Sequence, residues 1–356
     1  MNAVIYHNYD DIRLEKSPIP TIASQELLVK VHGCGLCGSD ILKIVQRVPP
    51  PVTLGHELTG TIVERGRDVR AFEVGQRVIV AHHVPCGVCH YCRHGNYSMC
   101  ASFKSSNIDP CGFAEYIRVP KEHVQHTTLA LPDSMSAEEG SFTEPLACCI
   151  RAVKRTPLRD GDSVIVVGLG SIGLLMVQAL KAFGIEMNQH IQVFGIDLFP
   201  ERLQLACDLG ADATWLAPHD EQGLRTLLAA YTEGRGADAA IITVAGTMPF
   251  MQAVAAVRKG GNVNIFAARS EAVPINLATL YQQELTISST YSSSPDELRI
   301  ALAWLSTGKV RVTRLISHRL PLERFAEGIE LTRKHAALKV YYSITGEKEQ
   351  YGKYTV

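Results

Sequence analysis

Residues 163–184 read SVIVVGLGSIGLLMVQALKAFG. The run VIVV is apolar and β-branched, which is typical of a strand buried on both faces of a sheet. Glycines follow it in the spacing G-x-G-x-x-G, and an amphipathic helical pattern begins among them. A glycine-rich turn between a buried strand and a helix is the setting in which this motif binds a dinucleotide. The stretch therefore predicts a nucleotide-binding βα unit.

The three glycines have separate roles in such a turn. Gly168 permits the tight turn, Gly170 lets the backbone approach a pyrophosphate, and Gly173 allows the helix to pack closely on the strand. The N-terminus of the helix then faces the phosphates. The predicted cofactor-binding residues of the turn are Gly168, Gly170, Ser171, Ile172 and Gly173.

The next strand-like run, IQVFGID, ends in Asp197, which stands 24 residues after Gly173. A carboxylate at the end of this second strand accepts hydrogen bonds from the ribose hydroxyls and repels a 2′-phosphate. We therefore predict NAD as the cofactor, with Asp197 and Arg202 as further binding residues. NADP stays open as the alternative, because an arginine such as Arg202 can also bind a phosphate.

Buried strands continue to alternate with helices as far as about Ser289. The strand-like runs AAIITVAG and NVNIFAA alternate with the helical PERLQLACDLG and MQAVAAVRKGG, which predicts a parallel sheet covered by helices. The first 125 residues instead carry short β-branched runs separated by Gly and Pro, which predicts a β-rich unit. The expected fold is α/β: a doubly wound parallel Rossmann sheet at 151–289, and a β-rich catalytic domain made of 1–150 and 290–356.

Length and composition exclude several classes of protein. The chain has 356 residues, of which 35 are basic and 36 acidic. This length favours about two domains, and the balanced charge argues against a nucleic-acid partner. The uncharged stretch 163–180 is long enough to span a membrane, but glycines and serines interrupt it. The N-terminus has no secretory pattern, so we expect a cytoplasmic protein without a membrane partner, in which thiols stay reduced.

The segment PCGVCHYCRHGNYSMC, residues 85–100, contains four closely spaced cysteines: Cys86, Cys89, Cys92 and Cys100. Four thiolates complete the tetrahedral coordination of a zinc ion and leave no position for a substrate. The spacing therefore predicts a structural zinc lobe. An iron–sulfur cluster is an alternative, because thiolates also suit iron, and free surface thiols are a second one.

A second donor set lies upstream, in GLCGSD (35–40) and LGHELTGTIVERGRDV (54–69). Cys37, His56 and Glu57 offer one sulfur, one nitrogen and one carboxylate. Mixed and incomplete sets of this kind suit a catalytic zinc, which keeps a position for water or substrate. The residues alone leave open that His56 is an ordinary strand histidine.

Further motifs surround these two donor sets, and their order along the chain is informative. The pattern G-H-E-x2-G-x5-G-x2-V is fulfilled by Gly55, His56, Glu57, Gly60, Gly66 and Val69. CGSD precedes it, and the cysteine lobe, GFAEY (112–116), EPLAC (144–148) and the glycine-rich turn follow it. The chain resembles the zinc-dependent medium-chain dehydrogenases, the superfamily of alcohol, sorbitol and threonine dehydrogenases.

The resemblance implies two zinc ions per chain and a GroES-like catalytic domain. It implies that Cys37, His56 and Glu57 hold the catalytic zinc. Glu144 stands where alcohol dehydrogenases place a cysteine ligand, and the resemblance gives it the zinc-bound water or a place on the metal. The alternative is that Glu144 simply opens a helix, with Pro145 in its first turn.

The resemblance also gives roles to two residues of CGSD. Asp40 is similar to the carboxylate that orients the histidine ligand, although it could instead cap a turn. Ser39 is similar to the hydroxyl that relays the substrate proton. Many relatives have a histidine where this chain has Leu42, so the route beyond Ser39 differs here.

The function implied is reversible hydride transfer from a secondary alcohol to NAD. The expected substrate is a polyol, sugar alcohol, sugar acid or amino alcohol, and the expected assembly is a homodimer or homotetramer. The polyol branch often has an aromatic–arginine pair for sugar hydroxyls where this chain has Tyr291 and Ser292, so the arginine of that pair is missing here. The alternatives are a non-catalytic zinc scaffold or nucleic-acid-binding protein, and an NADP-dependent aldehyde or ketone reductase of the same family.

Overall fold

The structure is a computed structural model that describes residues 1–9, 11–50, 52–218, 220–268 and 271–344. The chain divides into two compact units. One is Pro145–Arg311, and the other consists of Met1–Glu144 and the described part of Val312–Val356. The sequence predicts a Rossmann domain at 151–289 and a catalytic domain made of 1–150 and 290–356. These functional limits stay a prediction.

The described residues form strands and helices in the following chain order. The strands are β1 (Asn2–Asn8), β2 (Asp11–Lys16), β3 (Leu27–Gly35), β4 (Glu57–Arg65), β5 (Arg77–Val80), β6 (Tyr116–Val119), β7 (Thr128–Ala130), β8 (Ser163–Val167), β9 (Gln192–Asp197), β10 (Ala213–Leu216), β11 (Ala237–Ile242), β12 (Val257–Ile265), β13 (Thr286–Ser289), β14 (His318–Pro321) and β15 (Val340–Ser343). The helices are α1 (Gly38–Val45), α2 (His90–Arg93), α3 (Ala101–Ser105), α4 (Lys121–His126), α5 (Ala137–Ser141), α6 (Thr143–Arg155), α7 (Ser171–Met187), α8 (Pro200–Asp208), α9 (Glu221–Leu228), α10 (Thr247–Ala256), α11 (Leu277–Gln283), α12 (Pro295–Ser306) and α13 (Phe325–Arg333).

The unit Pro145–Arg311 is built on a parallel sheet in the order β10-β9-β8-β11-β12-β13. Every residue of β8 and β11 is buried, because helices cover both faces of such a sheet. Counted within the unit, the strand order is 3-2-1-4-5-6, the doubly wound Rossmann order. The order reverses between β8 and β11, and ligands of such sheets bind at the carboxyl ends of the strands at this point.

The glycine-rich turn at the end of β8 has the geometry that its motif predicts. Gly168 has φ +91°, a conformation that side chains disfavour. A Cβ at Gly173 would lie 1.9 Å from the carbonyl oxygen of Gly168, whereas a Cβ at Gly170 would have no neighbour within 4 Å. The Thr243 hydroxyl donates to the Gly168 oxygen over 2.7 Å and steadies the turn. The space beside Gly170 is therefore open to a ligand.

The other unit is built on a mostly antiparallel sheet. Its strands follow the order β14-β15-β3-β4-β5-β7, with β6 paired to β3, and β1 and β2 form a separate hairpin. Alternating apolar residues of these strands fill one core that includes Val29, Val31, Ile62, Val78 and Ile117. Three adjacent strands, β15, β3 and β4, bring distant parts of the chain to one place.

No helix within the described ranges is both long and apolar enough to cross a membrane. The uncharged stretch 163–180 that the sequence raised as a candidate is divided between β8 and α7.

Replacing Gly173 with alanine should destabilise the protein. The added methyl group must displace the backbone of Gly168, and overpacking of this kind costs about 1–3 kcal/mol. Gly170→Ala is the matched control, because its methyl group enters open space and the change at a helix N-cap costs at most about 1 kcal/mol. Urea unfolding of both variants measures the difference, and equal stabilities would contradict the close packing of α7 on the turn.

Candidate active site

The structure brings Cys37, His56 and Glu57 together. One ligand atom of each lies within 4.8 Å of the others. Cys37 precedes α1 as its N-cap, and His56 and Glu57 stand at the start of β4. His56 and Glu57 are 5% and 2% exposed, while Cys37 is half-buried. A sulfur, an imidazole and a carboxylate on one partly open wall form a set that fits zinc with a free position.

Asp40 fixes the orientation of His56. It is fully buried, its Oδ1 lies 3.5 Å from His56 Nδ1, and the same oxygen accepts from Gly55 N–H over 3.1 Å. Its Oδ2 accepts from Cys37 N–H over 3.3 Å and closes a capping box on α1. Asp40 is therefore both a helix cap and a partner of the histidine, and it leaves Nε2 of His56 to face the other donors.

Ser39 lies on the exposed side of this cluster. Its hydroxyl is 3.3 Å from Cys37 Sγ and 3.4 Å from His56 Nε2. The serine is exposed, whereas Asp40, its neighbour in the chain, is buried. The hydroxyl therefore stands between the donor set and solvent.

The electrostatic environment of the cluster favours a cation. Burial lowers the pKa of His56, but Asp40 and Cys37 outweigh this and raise it well above its usual value. Burial raises the pKa of Asp40, and the proximity of His56 outweighs that effect and lowers it. Surroundings that stabilise a proton on the imidazole also stabilise a metal ion in contact with it.

Lys339 belongs to this cluster, and no sequence motif pointed to it. Its ammonium is buried and donates to both oxygens of Glu57, over 2.8 and 2.6 Å, and to the carbonyl of Leu36 over 3.3 Å. Burial lowers the pKa of Lys339, but the negative charges of Glu57 and Cys37 raise it above its usual value. Glu57 therefore has a permanent cationic partner in addition to its place in the donor set.

Glu144 lies in the first turn of α6 and is 9% exposed. Its charge contributes to the raised pKa of Lys339. Among the described side chains, it is not part of the group whose ligand atoms lie within 4.8 Å of one another. Its predicted place on the metal or on a metal-bound water stays a prediction.

The four cysteines of the lobe form a second donor set. Sγ atoms of Cys86, Cys89, Cys92 and Cys100 lie within 4.8 Å of one another. Cys89 and Cys92 are 3.6 Å apart, and Cys86 and Cys92 are 4.0 Å apart. A tetrahedral zinc with Zn–S bonds of about 2.3 Å has sulfur–sulfur edges of about 3.8 Å. The lobe therefore fits a closed, four-thiolate zinc site.

The thiols of the lobe differ in their electrostatic environment, and burial raises the pKa of Cys92 to about 12. Burial raises the pKa of Cys100, but backbone N–H groups of Cys86 and Phe103 outweigh it and lower the pKa to about 6. The thiolate is the form that binds metal.

In the other unit, Asp197 lies directly beside the glycine-rich turn. Its Oδ2 accepts from Leu169 N–H over 2.6 Å, and its Oδ1 accepts from Phe199 N–H over 3.1 Å. Arg202 lies 3.7 Å from the same carboxylate and packs over the Phe199 ring at 4.3 Å. The carboxylate at the end of β9 is thus fixed at the edge of the turn, with the arginine already beside it.

Comparison with known proteins shows the family of this chain. The family model "Alcohol dehydrogenase GroES-like domain" matches residues 23–132, and the model "Zinc-binding dehydrogenase" matches residues 171–307. The chain belongs to the zinc-binding medium-chain alcohol dehydrogenase family. This membership confirms three predictions: the family, the Rossmann and GroES-like fold class, and the class of oxidoreductase that acts on CH–OH donors. The scaffold and nucleic-acid alternatives are not favoured.

Several relatives of this dehydrogenase are polyol dehydrogenases. It is 32% identical to the sorbitol dehydrogenase of Bacillus subtilis, over 96% of each chain. It is 30% identical to the D-arabitol-phosphate dehydrogenase of Enterococcus avium, over 93% of this chain and 94% of that one. The crystal structure of galactitol-1-phosphate dehydrogenase from Escherichia coli superposes with a TM-score of 0.82 at 28% identity, and covers 96% of this chain and 100% of that one.

Replacing Lys339 with methionine should destabilise the zinc-free dehydrogenase. The change leaves the buried carboxylate of Glu57 without its cation, and breaking a buried ion pair from one side costs about 3–5 kcal/mol. Lys339→Arg keeps the charge and serves as the control. Urea unfolding after removal of metal by a chelator measures the loss, and a change below about 1 kcal/mol would show that the pair does not stabilise the fold.

Proposed function

We propose that this chain is an NAD-dependent polyol dehydrogenase. It oxidises a secondary alcohol of a polyol, sugar alcohol, sugar acid or amino alcohol and transfers the hydride to NAD, reversibly. The observation that carries the proposal is the mixed donor set of Cys37, His56 and Glu57 with the exposed hydroxyl of Ser39 at its edge. A closed set of ligands would stabilise a fold, whereas an incomplete set beside a hydroxyl suits chemistry on a substrate.

Each residue of the cluster has a defined role in this proposal. Cys37, His56 and Glu57 hold the metal, and Asp40 keeps the imidazole of His56 in one orientation. A zinc ion held there would supply Lewis acidity, which favours the alkoxide form of a substrate hydroxyl. Lys339 holds the Glu57 carboxylate in place from behind through two hydrogen bonds.

Ser39 takes the proton that the substrate hydroxyl loses. Its Oγ is close to the donor atoms of Cys37 and His56 and is also exposed, so it can receive a proton at the site and pass it outward. Glu144 is proposed to hold a water molecule at the site or to bind the metal. It is buried, and its negative charge helps to raise the pKa of Lys339.

The turn and Asp197 bind the dinucleotide. Gly170 leaves room for the pyrophosphate, and the N-terminus of α7 at Ser171, Ile172 and Gly173 offers backbone N–H groups to it. Asp197 keeps lone pairs for the ribose hydroxyls while it holds Leu169 N–H. Arg202 already lies beside that carboxylate, which favours NAD over NADP. Bound NAD would accept the hydride.

We further propose that the dehydrogenase is a homodimer or homotetramer. β13 is an edge strand of the parallel sheet, and the adjacent helix α11 has no buried residue. Its Leu277 and Tyr281 are 75% and 86% exposed. An open strand edge next to exposed apolar side chains fits pairing with a second copy of the chain.

The cytoplasm is the proposed compartment. All ten cysteines have free thiols, and five of them, Cys37 and the four cysteines of the lobe, belong to the two donor sets. A thiol that has been oxidised to a disulfide cannot bind metal, so both sites depend on reduced cysteines. The cytoplasm is the compartment that keeps thiols reduced.

An absorbance assay for NADH tests the proposed function. The panel contains polyols, polyol phosphates, sugar acids and amino alcohols, each offered with NAD and with NADP, and zinc is counted on the same preparation. We expect NADH formation with at least one polyol-like substrate and two zinc ions per chain, one for each donor set. One zinc per chain with no turnover would fit a zinc scaffold, and turnover with NADP alone would fit the reductase alternative.

Replacing Ser39 with alanine should slow turnover while zinc is retained. General acid–base groups contribute roughly 10²–10⁴-fold to a rate, so we expect kcat to fall by at least about 10²-fold. The exposed Ser306 in α12 provides the control Ser306→Ala, which should leave kcat unchanged. Steady-state kinetics with metal analysis measures both, and full activity in the Ser39 variant would refute the relay.

A further inference from the structure

Four neighbouring rings, each inclined by 37–46° to the next, connect His56 with the cysteine lobe. The ring of His56 lies 4.4 Å from that of His82, centroid to centroid, and His82 lies 3.9 Å from His83. His83 in turn lies 4.9 Å from Phe103. These four side chains, called the ring stack below, join the open donor set to the region of the closed one.

The far end of the ring stack packs with two cysteines of the lobe. Phe103 is 2% exposed and packs in one buried cluster with Cys92 and Cys100. Two of the four predicted ligands of the structural zinc therefore pack with the last ring. A metal bound by the lobe fixes these sulfurs, because closing such a site orders the chain around it.

The middle of the ring stack is held by hydrogen bonds from two sides. On the side of the lobe, His83 Nδ1 donates to the carbonyl of Ser106 over 2.7 Å, and the Ser106 hydroxyl accepts from Val84 N–H over 2.9 Å. On the other side, His123 Nε2 donates to the carbonyl of His82 over 2.9 Å. The backbone that carries His82 and His83 is therefore held by hydrogen bonds from two sides.

The ring of His82 acts on His56 by packing against its ring. Its Nδ1 is buried and has no hydrogen-bond partner in the described part of the chain. Asp40 and Ser39 contact His56 at its two nitrogen atoms, Nδ1 and Nε2, and contacts at these two edges leave the ring free to rotate about the line that joins them. The ring of His82, 4.4 Å away and inclined by 37° to that of His56, restricts this rotation, as close-packed aromatic rings do.

We propose that His82 is a positioning residue for His56, and that the ring stack transmits the rigidity of the lobe to the catalytic donor set. This inference rests on the proposed function in taking Cys37, His56 and Glu57 as the catalytic metal site. It gives the lobe a second role. The lobe binds no substrate itself, but its order sets the orientation of a ligand in the open site.

The rate at which a chelator removes the catalytic metal tests the inference. The purified dehydrogenase with zinc in both sites is mixed with excess chelator, and the phase that is absent in Cys37→Ser is assigned to the catalytic site. His82→Ala should accelerate this phase by about 10-fold, the lower end of the effect of supporting residues on metal affinity. His82→Phe keeps a ring in place and should release the metal at nearly the wild-type rate.

Two further variants separate the ring stack from general loss of stability. Phe103→Leu alters the end of the stack at the lobe and should also accelerate the catalytic phase, although Phe103 is separated from His56 by two other rings of the stack. His94 is an exposed lobe histidine whose ring lies 4.2 Å from His90, outside the ring stack, so His94→Ala should change nothing.

Cobalt substituted at the catalytic site provides a readout that is independent of turnover. Its thiolate absorption reports the geometry around Cys37 and His56, and it should shift in His82→Ala but not in His82→Phe or His94→Ala. Wild-type release and spectrum in His82→Ala would overturn the inference, and so would equal effects of alanine and phenylalanine. A wild-type chain without a catalytic release phase would instead overturn the proposed function itself, which the count of zinc per chain reveals separately.

Discussion

The pairing of β3 with β4 is the constraint on which the metal site depends. Their register sets Gly35 opposite Glu57, so Cys37, two residues beyond the end of β3, meets His56 and Glu57 at the start of β4. The approach is close enough that a Cβ at Gly35 would lie 2.2 Å from Glu57 Oε2. A shift of the register by one residue would turn these side chains to the opposite face of the sheet and separate the donors.

The third strand of this group, β15, accounts for the charge of the site. Its Tyr341 pairs with Gly35, and Lys339, just before the strand, therefore reaches Glu57. A buried carboxylate without a nearby cation destabilises the fold. Lys339 gives Glu57 such a cation, in addition to any metal ion held by the donor set. The Lys339 ammonium therefore orients the Glu57 carboxylate through both of its oxygens.

The two donor sets differ in the way that their chemistry requires. The lobe offers four sulfurs from one short segment, and four thiolates would complete the coordination of a metal ion, which suits a stabilising role. The open set of Cys37, His56 and Glu57 comes from two segments of the chain and contains three kinds of donor. The exposed hydroxyl of Ser39 lies at its edge. The ring stack through His82 and His83 gives the two sets a physical connection, so the order of one affects the geometry of the other.

The local features of this protein could be predicted from its residues alone. The Rossmann unit follows from a buried run and three glycines within eleven residues, and the zinc lobe from four cysteines within residues 85–100. Both were predicted because spacing along the chain fixes their geometry. The donors Cys37, His56 and Glu57 were also anticipated, with the help of a family resemblance. The pairing of Lys339 with Glu57, the contact of His82 with His56 and the double role of Asp40 were decided only by the tertiary structure. Glu57 and Lys339 are 282 residues apart, and no local pattern records which strands become neighbours in a sheet or in which register they pair.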